Sequence, residues 1–320
     1  MRKFGATVLH DFFVDRIVFC EDLSSLTRRV NSKAREGGGG VHGVRQTQVR
    51  GGNAVNMAEA LARLGTKTYL VTHSDASCMA LLKKGFEGLP VELSVKSLEP
   101  GLTVALETRE KGKKLNVMLG HSGGAGDFPP SLLDEHDWRA IESSEVVCSV
   151  NWAANRRGTE LLQEVRIHRR GKPLFLDPAD FRDRPADYLA LLKQIKRTGV
   201  VDWLSLNEFE AQATARLLGL TRASARATCR GLARELEIRV DVHTESGSHT
   251  SVGGQTWSHD VRRVDPHVLT GAGDVWDAAS VHYFLAGAED HRRIELADRA
   301  AGIYVRSDAA EGPTEGELLL

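Results

Sequence analysis

The sequence predicts an α/β fold in which a doubly wound, mostly parallel sheet carries a small β lid. Short runs of β-branched and apolar residues alternate with stretches of helical periodicity along the chain, which is typical of parallel sheets covered by helices. The predicted strands lie at residues 4–9, 68–72, 146–150, 174–176, 203–206 and 239–242. A length of 320 residues suits one large core rather than several full domains. We therefore expect residues 1–320 to form a single domain.

Two segments interrupt this alternation and predict the lid. Residues 12–50 contain an apolar start, a charged stretch, four consecutive glycines and then a run at 41–49 that alternates like a strand pair. Residues 101–118 have the pattern of a hairpin that turns at Lys111-Gly112-Lys113. We expect both segments to pack together as a small β lid beside the main sheet.

The charge balance and the cysteines exclude several classes of function. Lys and Arg number 42 against 43 Asp and Glu, a formal net charge of -1, so no global field attracts nucleic acid or an anionic membrane. The four cysteines are scattered without a C-x-x-C pair, which is typical of a reducing cytoplasm rather than of a zinc site or a disulfide scaffold. No apolar run approaches the roughly 18 residues of a membrane span. We expect a cytoplasmic protein that acts on a small molecule.

The glycine-rich turn at residues 270–274 carries the strongest chemical signal. It has the sequence Thr-Gly-Ala-Gly-Asp and precedes a helical pattern. The backbone N–H groups of Gly271, Ala272 and Gly273 would converge on an anion at the positive end of that helix. Asp274 would then accept a proton from an attacking hydroxyl while those N–H groups stabilise a transferring phosphoryl group. Taken alone, the motif also allows a plain glycine turn with an Asp N-cap.

Two other glycine motifs are interpreted as structural. Residues 124–127 repeat Gly-Ala-Gly-Asp before two prolines, and there Asp127 is predicted to cap a surface helix. Residues 38–43 satisfy G-x-G-x-x-G but do not join a strand to a helix, as a dinucleotide site requires. The sequence also contains no G-x-x-x-x-G-K-[ST] loop. Residues 270–274 therefore remain the candidate phosphate loop.

A second glycine pair opens the first long predicted helix, at 53–64. Residues 51–56 have the sequence Gly-Gly-Asn-Ala-Val-Asn, and Asn53 is expected to cap the helix. Capping does not account for Gly52 or for Asn56. The amide of Asn56 both donates and accepts hydrogen bonds, which suits adjacent hydroxyl groups on a sugar.

Polar residues follow three of the predicted strands. Asn207 and Glu210 have the spacing of a capping box, and their oxygens also suit Mg²⁺ and its waters. Asp177 and Thr244 follow two other strands. Because ligands of open parallel sheets bind beyond the carboxyl ends of the strands, we expect these side chains to line one crevice. In the helix after Asn207, an apolar stripe is predicted that begins at Phe209.

With these motifs in this order, the chain resembles the ribokinase-like carbohydrate kinases, also called the PfkB family. Residues 51–65 and 270–274 carry the likeness, with Asn207-x-x-Glu210 between them, and it spans most of the chain. The resemblance implies transfer of the γ-phosphate of ATP to a hydroxyl of a sugar or nucleoside, with Mg²⁺ as cofactor. It also implies a lid that closes over the substrate and often contributes to a homodimer interface.

The resemblance also implies roles for individual residues. The base falls on Asp274 and the anion hole on the backbone of residues 271–273. Asn207 and Glu210 take the metal and phosphate role, and Thr244 lies near the nucleotide.

Substrate contacts implied by the resemblance fall on the second glycine motif and on an acidic residue near the first strand. Gly52 and Asn56 are the contacts in the motif. Asp11 is the first candidate for the acidic residue, and Asp15 is the alternative.

Two alternatives stay open on the sequence. Arg50, Arg156 and Arg157 would hold an already phosphorylated sugar through forked guanidinium contacts, although arginines on helices are usually only solvated. The turn at 244–249 departs from the family's Thr-x-Gly-x-x-Gly pattern. This departure keeps open a non-catalytic regulator that binds a sugar or nucleotide on the same fold.

Overall fold

In the computed structural model, which describes residues 3–110, 113–264, 266–308 and 310–320, nine strands form one sheet and four form a second, smaller sheet. The strands of the described chain are β1 (Ala6–Leu9), β2 (Phe13–Phe19), β3 (Gln46–Gly51), β4 (Thr68–Ser74), β5 (Val91–Ser97), β6 (Gly101–Glu110), β7 (Lys113–His121), β8 (Val146–Val150), β9 (Leu174–Asp177), β10 (Trp203–Asn207), β11 (Arg239–Thr244), β12 (Gly247–Val252) and β13 (Gln255–Asp260). The helices are α1 (Leu23–Arg35), α2 (Asn53–Arg63), α3 (Met79–Lys84), α4 (Glu135–Ser143), α5 (Gly158–His168), α6 (Pro185–Thr198), α7 (Glu208–Leu217), α8 (Ala225–Leu236), α9 (Ala272–Leu285), α10 (Asp290–Tyr304) and α11 (Glu315–Leu319).

The main sheet is mostly parallel, as predicted. Its strand order is β13-β12-β11-β10-β9-β8-β1-β4-β5. The strands from β11 to β5 in this order pair in parallel, whereas β12 and β13 form an antiparallel extension at one edge. The carboxyl ends of the parallel strands therefore open onto one edge, where the polar residues after β9, β10 and β11 lie.

Helices cover both faces of the main sheet, which confirms the doubly wound architecture. Along β8, Val147 belongs to one buried apolar cluster, and its neighbours Val146 and Cys148 belong to the other. The first cluster includes side chains of α5, α6 and α8, and the second includes side chains of α2, α9 and α10. In the described residues, no helix has the length and hydrophobicity that a membrane crossing requires.

The smaller sheet is the predicted lid, with strand order β3-β2-β6-β7. The prediction of a strand pair at 41–49 is wrong, because β3 begins only at Gln46 and pairs with β2. Between them lies helix α1, which was not predicted; Asp22 caps it by accepting a hydrogen bond from the Ser25 N–H at 2.6 Å. β6 and β7 form the predicted hairpin. Residues 111–112 of its turn lie outside the described residues.

A buried ion pair ties the β11–β12 edge to α10. Arg293 is completely buried and donates to both carboxylate oxygens of Asp241, at 2.6 and 3.0 Å. It also donates to Thr250 at 2.8 Å and lies 4.9 Å from the ring centroid of Trp203. Burial by itself raises the pKa of Asp241, but the charge and hydrogen bonds of Arg293, together with the charge of Arg239 and a hydrogen bond with Thr250, outweigh burial and hold that pKa below its ordinary value.

Candidate active site

The glycine turn at 270–274 leads directly into α9, as predicted, and its geometry requires glycine at one position. Gly271 is the N-cap of α9 with φ of +90°. A Cβ atom at this position would lie 2.5 Å from the hydroxyl oxygen of Tyr304. That hydroxyl donates to the carbonyl of Thr270 at 2.7 Å. The turn is thus fixed from behind by Tyr304.

Two of the three N–H groups in the turn predicted to bind an anion are free. Among the residues that the structure describes, the N–H groups of Gly271 and Gly273 have no hydrogen-bond acceptor, whereas that of Ala272 donates to the carbonyl of Leu269 at 3.3 Å. Unpaired N–H groups at a helix start attract anions, because the helix dipole adds to their own charge. The turn therefore presents two free donors to an anion.

Asp274 lies in the crevice between the starts of α9 and α2. Its side chain is almost buried, at 7% exposure, and its Oδ2 accepts a hydrogen bond from Nδ2 of Asn56 at 2.8 Å. Burial raises the pKa of Asp274 well above its ordinary value, and the nearby charges of Asp177, Asp11 and Asp15 raise it further. A carboxylate with a raised pKa is a stronger proton acceptor than a solvated one.

Asp11 occupies the start of α2 as a helix cap. Its two carboxylate oxygens accept from the N–H groups of Asn53 at 3.1 Å and Ala54 at 2.7 Å, and from Nδ2 of Asn151 at 2.7 Å. The prediction that Asn53 caps this helix is wrong, because the N-cap residue is Gly52, with φ of +105° and no side chain. The cap comes instead from a segment about forty residues earlier, and Asp11 accepts three hydrogen bonds there.

Asp15 faces the glycine pair from the lid. It is half-buried on β2, and a Cβ atom on Gly51 would collide with its carboxylate. Burial raises the pKa of Asp15 to about 6, although a hydrogen bond with the Thr103 side chain acts in the opposite direction. Asp15 thus places a carboxylate where the lid meets the start of α2.

Asn207 and Glu210 form the predicted capping box at the start of α7. Oδ1 of Asn207 accepts from the Glu210 N–H at 3.0 Å, and Oε2 of Glu210 accepts from the Asn207 N–H at 2.9 Å. Burial and the charge of Asp177 raise the pKa of Glu210. Asp177, whose pKa burial also raises, is hydrogen-bonded by the Asn53 side chain. Two carboxylates that repel each other therefore lie at the ends of β9 and β10.

These two carboxylates fit a cation that arrives with its own ligands. The structure contains no group of three or more His, Cys, Asp or Glu side chains with the geometry of a metal site, among the residues it describes. Mg²⁺ is commonly held by one or two carboxylates together with waters and substrate phosphates. The pair Asp177 and Glu210 fits Mg²⁺ bound in that manner.

Thr244 lies at the end of β11 and stabilises the turn into β12. Its Oγ1 accepts from the Ser246 N–H at 3.1 Å and donates to the carbonyl of Gly247 at 2.9 Å. The hydroxyl of Thr244 is thus engaged within the hairpin turn, at the same edge of the sheet as Asn207.

The lid touches the glycine turn at 270–274 directly. Nδ2 of Asn116, on β7, donates to Oγ1 of Thr270 at 2.9 Å. Side chains alternate between the faces of a strand, so Asn116 and Asp15 lie on the inner face of the lid. The crevice is therefore enclosed by the lid on one side and by the starts of α2 and α9 on the other.

A comparison with known protein families identifies the family of the chain. The chain matches the model of the pfkB family carbohydrate kinases over residues 19–315. It belongs to that family. A comparison with curated protein sequences gave no match.

Solved structures with the pfkB fold resemble the chain along nearly its whole length. A ribokinase from Thermotoga maritima gives a TM-score of 0.77 at 18% identity, covering 99% of this chain and 98% of that one. Arabidopsis thaliana ribokinase complexed with ribose and ATP gives 0.76 at 19%, with 99% and 98% covered. An adenosine kinase from Sinorhizobium meliloti gives 0.72 at 19%, with 95% and 94% covered. Identities this low establish the shared fold.

Two side chains at the pfkB crevice were missed by sequence reasoning. His243, just before Thr244, stacks on Trp276 with ring centroids 5.1 Å apart. Its Cε1 would lie 3.4 Å from a Cβ atom on Gly273. Asn151 directly follows β8 in the left-handed conformation, with φ of 55°. A polar residue immediately after a predicted strand is the signal that would have identified both.

Two of the three arginines considered for a phosphorylated sugar have partners elsewhere. Arg50 pairs with Glu59 and lies 4.7 Å from the ring centroid of Phe86. Arg157 is paired with Glu160. Arg156 is exposed, so it is the remaining candidate of the three.

Proposed function

We propose that this pfkB family member transfers the γ-phosphate of ATP to a hydroxyl group of a sugar or nucleoside, with Asp274 as the general base. The observation that carries the proposal is the position of the Asp274 carboxylate, which Asn56 holds at 2.8 Å beside the free N–H groups of Gly271 and Gly273. The family and the ribokinase and adenosine kinase neighbours support the same reaction class.

In the proposed reaction, an acceptor hydroxyl lies between the lid and the start of α2. Asp15, Gly52 and Asn56 hold the acceptor, and Asp274 takes the hydroxyl proton. We prefer Asp15 to Asp11 for the acidic contact, because Asp15 faces the glycine pair from the lid, whereas Asp11 already accepts three hydrogen bonds at the start of α2. The acceptor oxygen bonds to the γ-phosphorus, the bond from that phosphorus to the β–γ bridging oxygen breaks, and ADP leaves.

Charge on the transferring group would be stabilised by the glycine turn and by the edge of the sheet. The N–H groups of Gly271 and Gly273 would donate to the phosphoryl oxygens. Asp177 and Glu210 would hold Mg²⁺ through its waters, with Asn207 fixing Glu210, and a bound Mg²⁺ would neutralise phosphate charge. Thr244 would lie beside the nucleotide, and the lid would exclude water.

The pH dependence of kcat/KM should reveal the raised pKa of Asp274. Only the ionised carboxylate accepts a proton, so activity is expected to fall as the pH drops through this pKa. Because burial raises that pKa, the acid limb should lie above the ordinary aspartate value of about 3.9. An Asp15→Asn variant removes a second carboxylate, whose pKa is about 6. The acid limb should remain in this variant but shift to lower pH, because the charge of Asp15 raises the pKa of Asp274. An acid limb at the ordinary aspartate value would contradict the assignment.

A substrate screen tests the function itself. Free sugars, sugar phosphates and nucleosides are offered with ATP and ADP as separate donors, and the phosphorylated product is measured by mass spectrometry. We expect product from an unphosphorylated acceptor with ATP, and none with an Asp274→Asn variant. Product from sugar phosphates alone would favour the phosphorylated substrate. Binding without product across the panel would favour the non-catalytic regulator.

We also propose that two copies associate through the outer lid face, defined here as the exposed apolar side chains of β6 and β7. These side chains are Leu102, Val104, Leu115, Val117 and Leu119. Contiguous exposed apolar side chains on a sheet commonly mark an association surface. The opposite face carries Asp15 and Asn116, so association on the outer face leaves the crevice free.

A charge on the outer lid face should weaken this homodimer. Leu119 is 61% exposed, and Leu119→Glu is expected to raise the dimer dissociation constant about tenfold or more, because a carboxylate would be buried without a partner. Sedimentation velocity over a concentration series measures the effect. Ile167→Glu is the matched control, since Ile167 is 69% exposed and lies on α5, outside the lid. Equal behaviour of the two variants would argue against the interface.

A further inference from the structure

One stretch of the chain concentrates positive charge in a protein whose total charge is close to zero. Residues 211–234 contain five arginines and no Asp, Glu or Lys, while the formal net charge of the whole chain is -1. The five are Arg216 on α7, Arg222 in the α7–α8 connection, and Arg226, Arg230 and Arg234 on α8. All five are exposed. This part of the surface therefore carries a local positive field.

A cavity of about 370 Å³ opens at one end of this stretch. It is lined by Arg182, Phe209, Gln212, Arg216 and Arg222. The volume falls within the range of roughly 300–1,000 Å³ that is usual for small-molecule sites. Three guanidinium groups and one aromatic ring thus converge on one opening.

Phe209 is exposed in this cavity, contrary to the apolar stripe that the sequence predicts. Its side chain is 78% exposed, whereas Ala211 and Ala215 carry the buried face of α7. Phe209, Gln212 and Arg216 are spaced three and four residues apart, so they lie on one side of the helix. A phenyl ring in water beside guanidinium groups offers a face for stacking a planar ligand.

The guanidinium groups of the cavity are only partly neutralised. Arg182 is paired with Asp180. Arg216 donates through Nε to the carbonyl of Gln212 at 3.2 Å, and within the described ranges neither Arg216 nor Arg222 has a carboxylate partner. Paired or stacked guanidinium groups are well suited to phosphate, because their planar fork matches two phosphate oxygens. The cavity therefore combines a stacking surface with two free anion-binding forks.

We propose that this cavity binds a nucleotide, at a site separate from the crevice of Asp274. The base stacks on Phe209, and the phosphates are held by Arg216 and Arg222, with Arg182 at the rim. Glu210 lies on the same helix one residue beyond Phe209, but in the capping box at the sheet edge. Glu210 is thus held at the sheet edge by Asn207, whereas Phe209 lines the cavity.

Binding stoichiometry tests the proposal on the full chain. Titration calorimetry with ADP, without acceptor, is expected to show two ADP molecules per wild-type chain and one per chain for Arg216→Gln/Arg222→Gln. If the crevice bound no nucleotide, the wild type would bind one and this variant none, so failure of the proposed kinase function is distinguishable. Phe209→Ala should weaken the cavity site about tenfold or more, because stacking on the base is lost.

A phosphate probe and a matched variant sharpen the result. Pyrophosphate should bind wild type and Phe209→Ala equally but Arg216→Gln/Arg222→Gln weakly, since pyrophosphate has no base to stack. Arg234→Gln removes an equally exposed charge from the far end of α8 and should leave ADP binding unchanged. Circular dichroism confirms that each variant is folded. The proposal is overturned if ADP stoichiometry is the same in all chains, or if Phe209→Ala binds ADP as tightly as the wild type.

Discussion

Replacing Asp274 with Asn is expected to lower kcat about 10³-fold, the effect usual for loss of a general base. The amide that replaces the carboxylate is too weak a base to accept the hydroxyl proton. Its carbonyl oxygen can still accept the hydrogen bond from Asn56, which spans 2.8 Å in the structure. Nucleotide binding should therefore persist. Titration calorimetry measures this binding, and single-turnover kinetics measure the loss of rate.

The same substitution should stabilise the fold at neutral pH. Burial raises the pKa of Asp274, so the native state binds its proton more tightly than the unfolded state does. Stability from this group is present below the unfolded pKa and is lost as the pH rises through the folded pKa. Asn carries no charge, and the melting temperature of Asp274→Asn should exceed that of wild type at pH 7.

Asp127 provides the matched control within the chain. It ends the second Gly-Ala-Gly-Asp sequence, at residues 124–127. There the structure has a 3₁₀ turn, Gly123–Asp127, and an exposed carboxylate. The turn is as predicted, although the cap predicted for Asp127 is wrong, because Asp134 caps the following helix. Asp127→Asn should change neither kcat nor stability. If Asp274→Asn instead kept near-full activity, the assignment of Asp274 as the base would be refuted.

Replacing Arg293 with Met is expected to lower the free energy of unfolding by about 3–5 kcal/mol, because it leaves the Asp241 carboxylate buried without its partner. Both side chains are completely buried, so water cannot replace the lost hydrogen bonds without opening the core. Urea denaturation monitored by tryptophan fluorescence measures the effect.

Two further variants separate the ion pair from general disturbance of α10. Arg292 precedes Arg293 but is exposed and pairs with Glu295, so Arg292→Met should change stability by no more than about 1 kcal/mol. Adding Asp241→Asn to Arg293→Met removes the unpaired charge and should recover part of the loss. A loss as small as that of Arg292→Met would show that the buried pair contributes little.

The order of elements and the local motifs could be predicted from the amino-acid sequence. Strand β8 was predicted at its observed bounds, and the capping box of Asn207 and Glu210 formed as predicted. The turn before α9 was also predicted at its place. These features depend on residues within a few positions of one another, so periodicity and spacing are enough to define them. The single-domain expectation and the roles of the site residues stay predictions.

Which distant side chains meet could be read only from the folded chain. Asn56 and Asp274 form a hydrogen bond although 218 residues separate them, and Asp11 caps α2 from 43 residues before Ala54. The outward direction of Phe209 was likewise decided by how α7 packs on the sheet. Contacts of this kind depend on how strands and helices from distant parts of the chain are packed, and no local pattern of residue types encodes that arrangement.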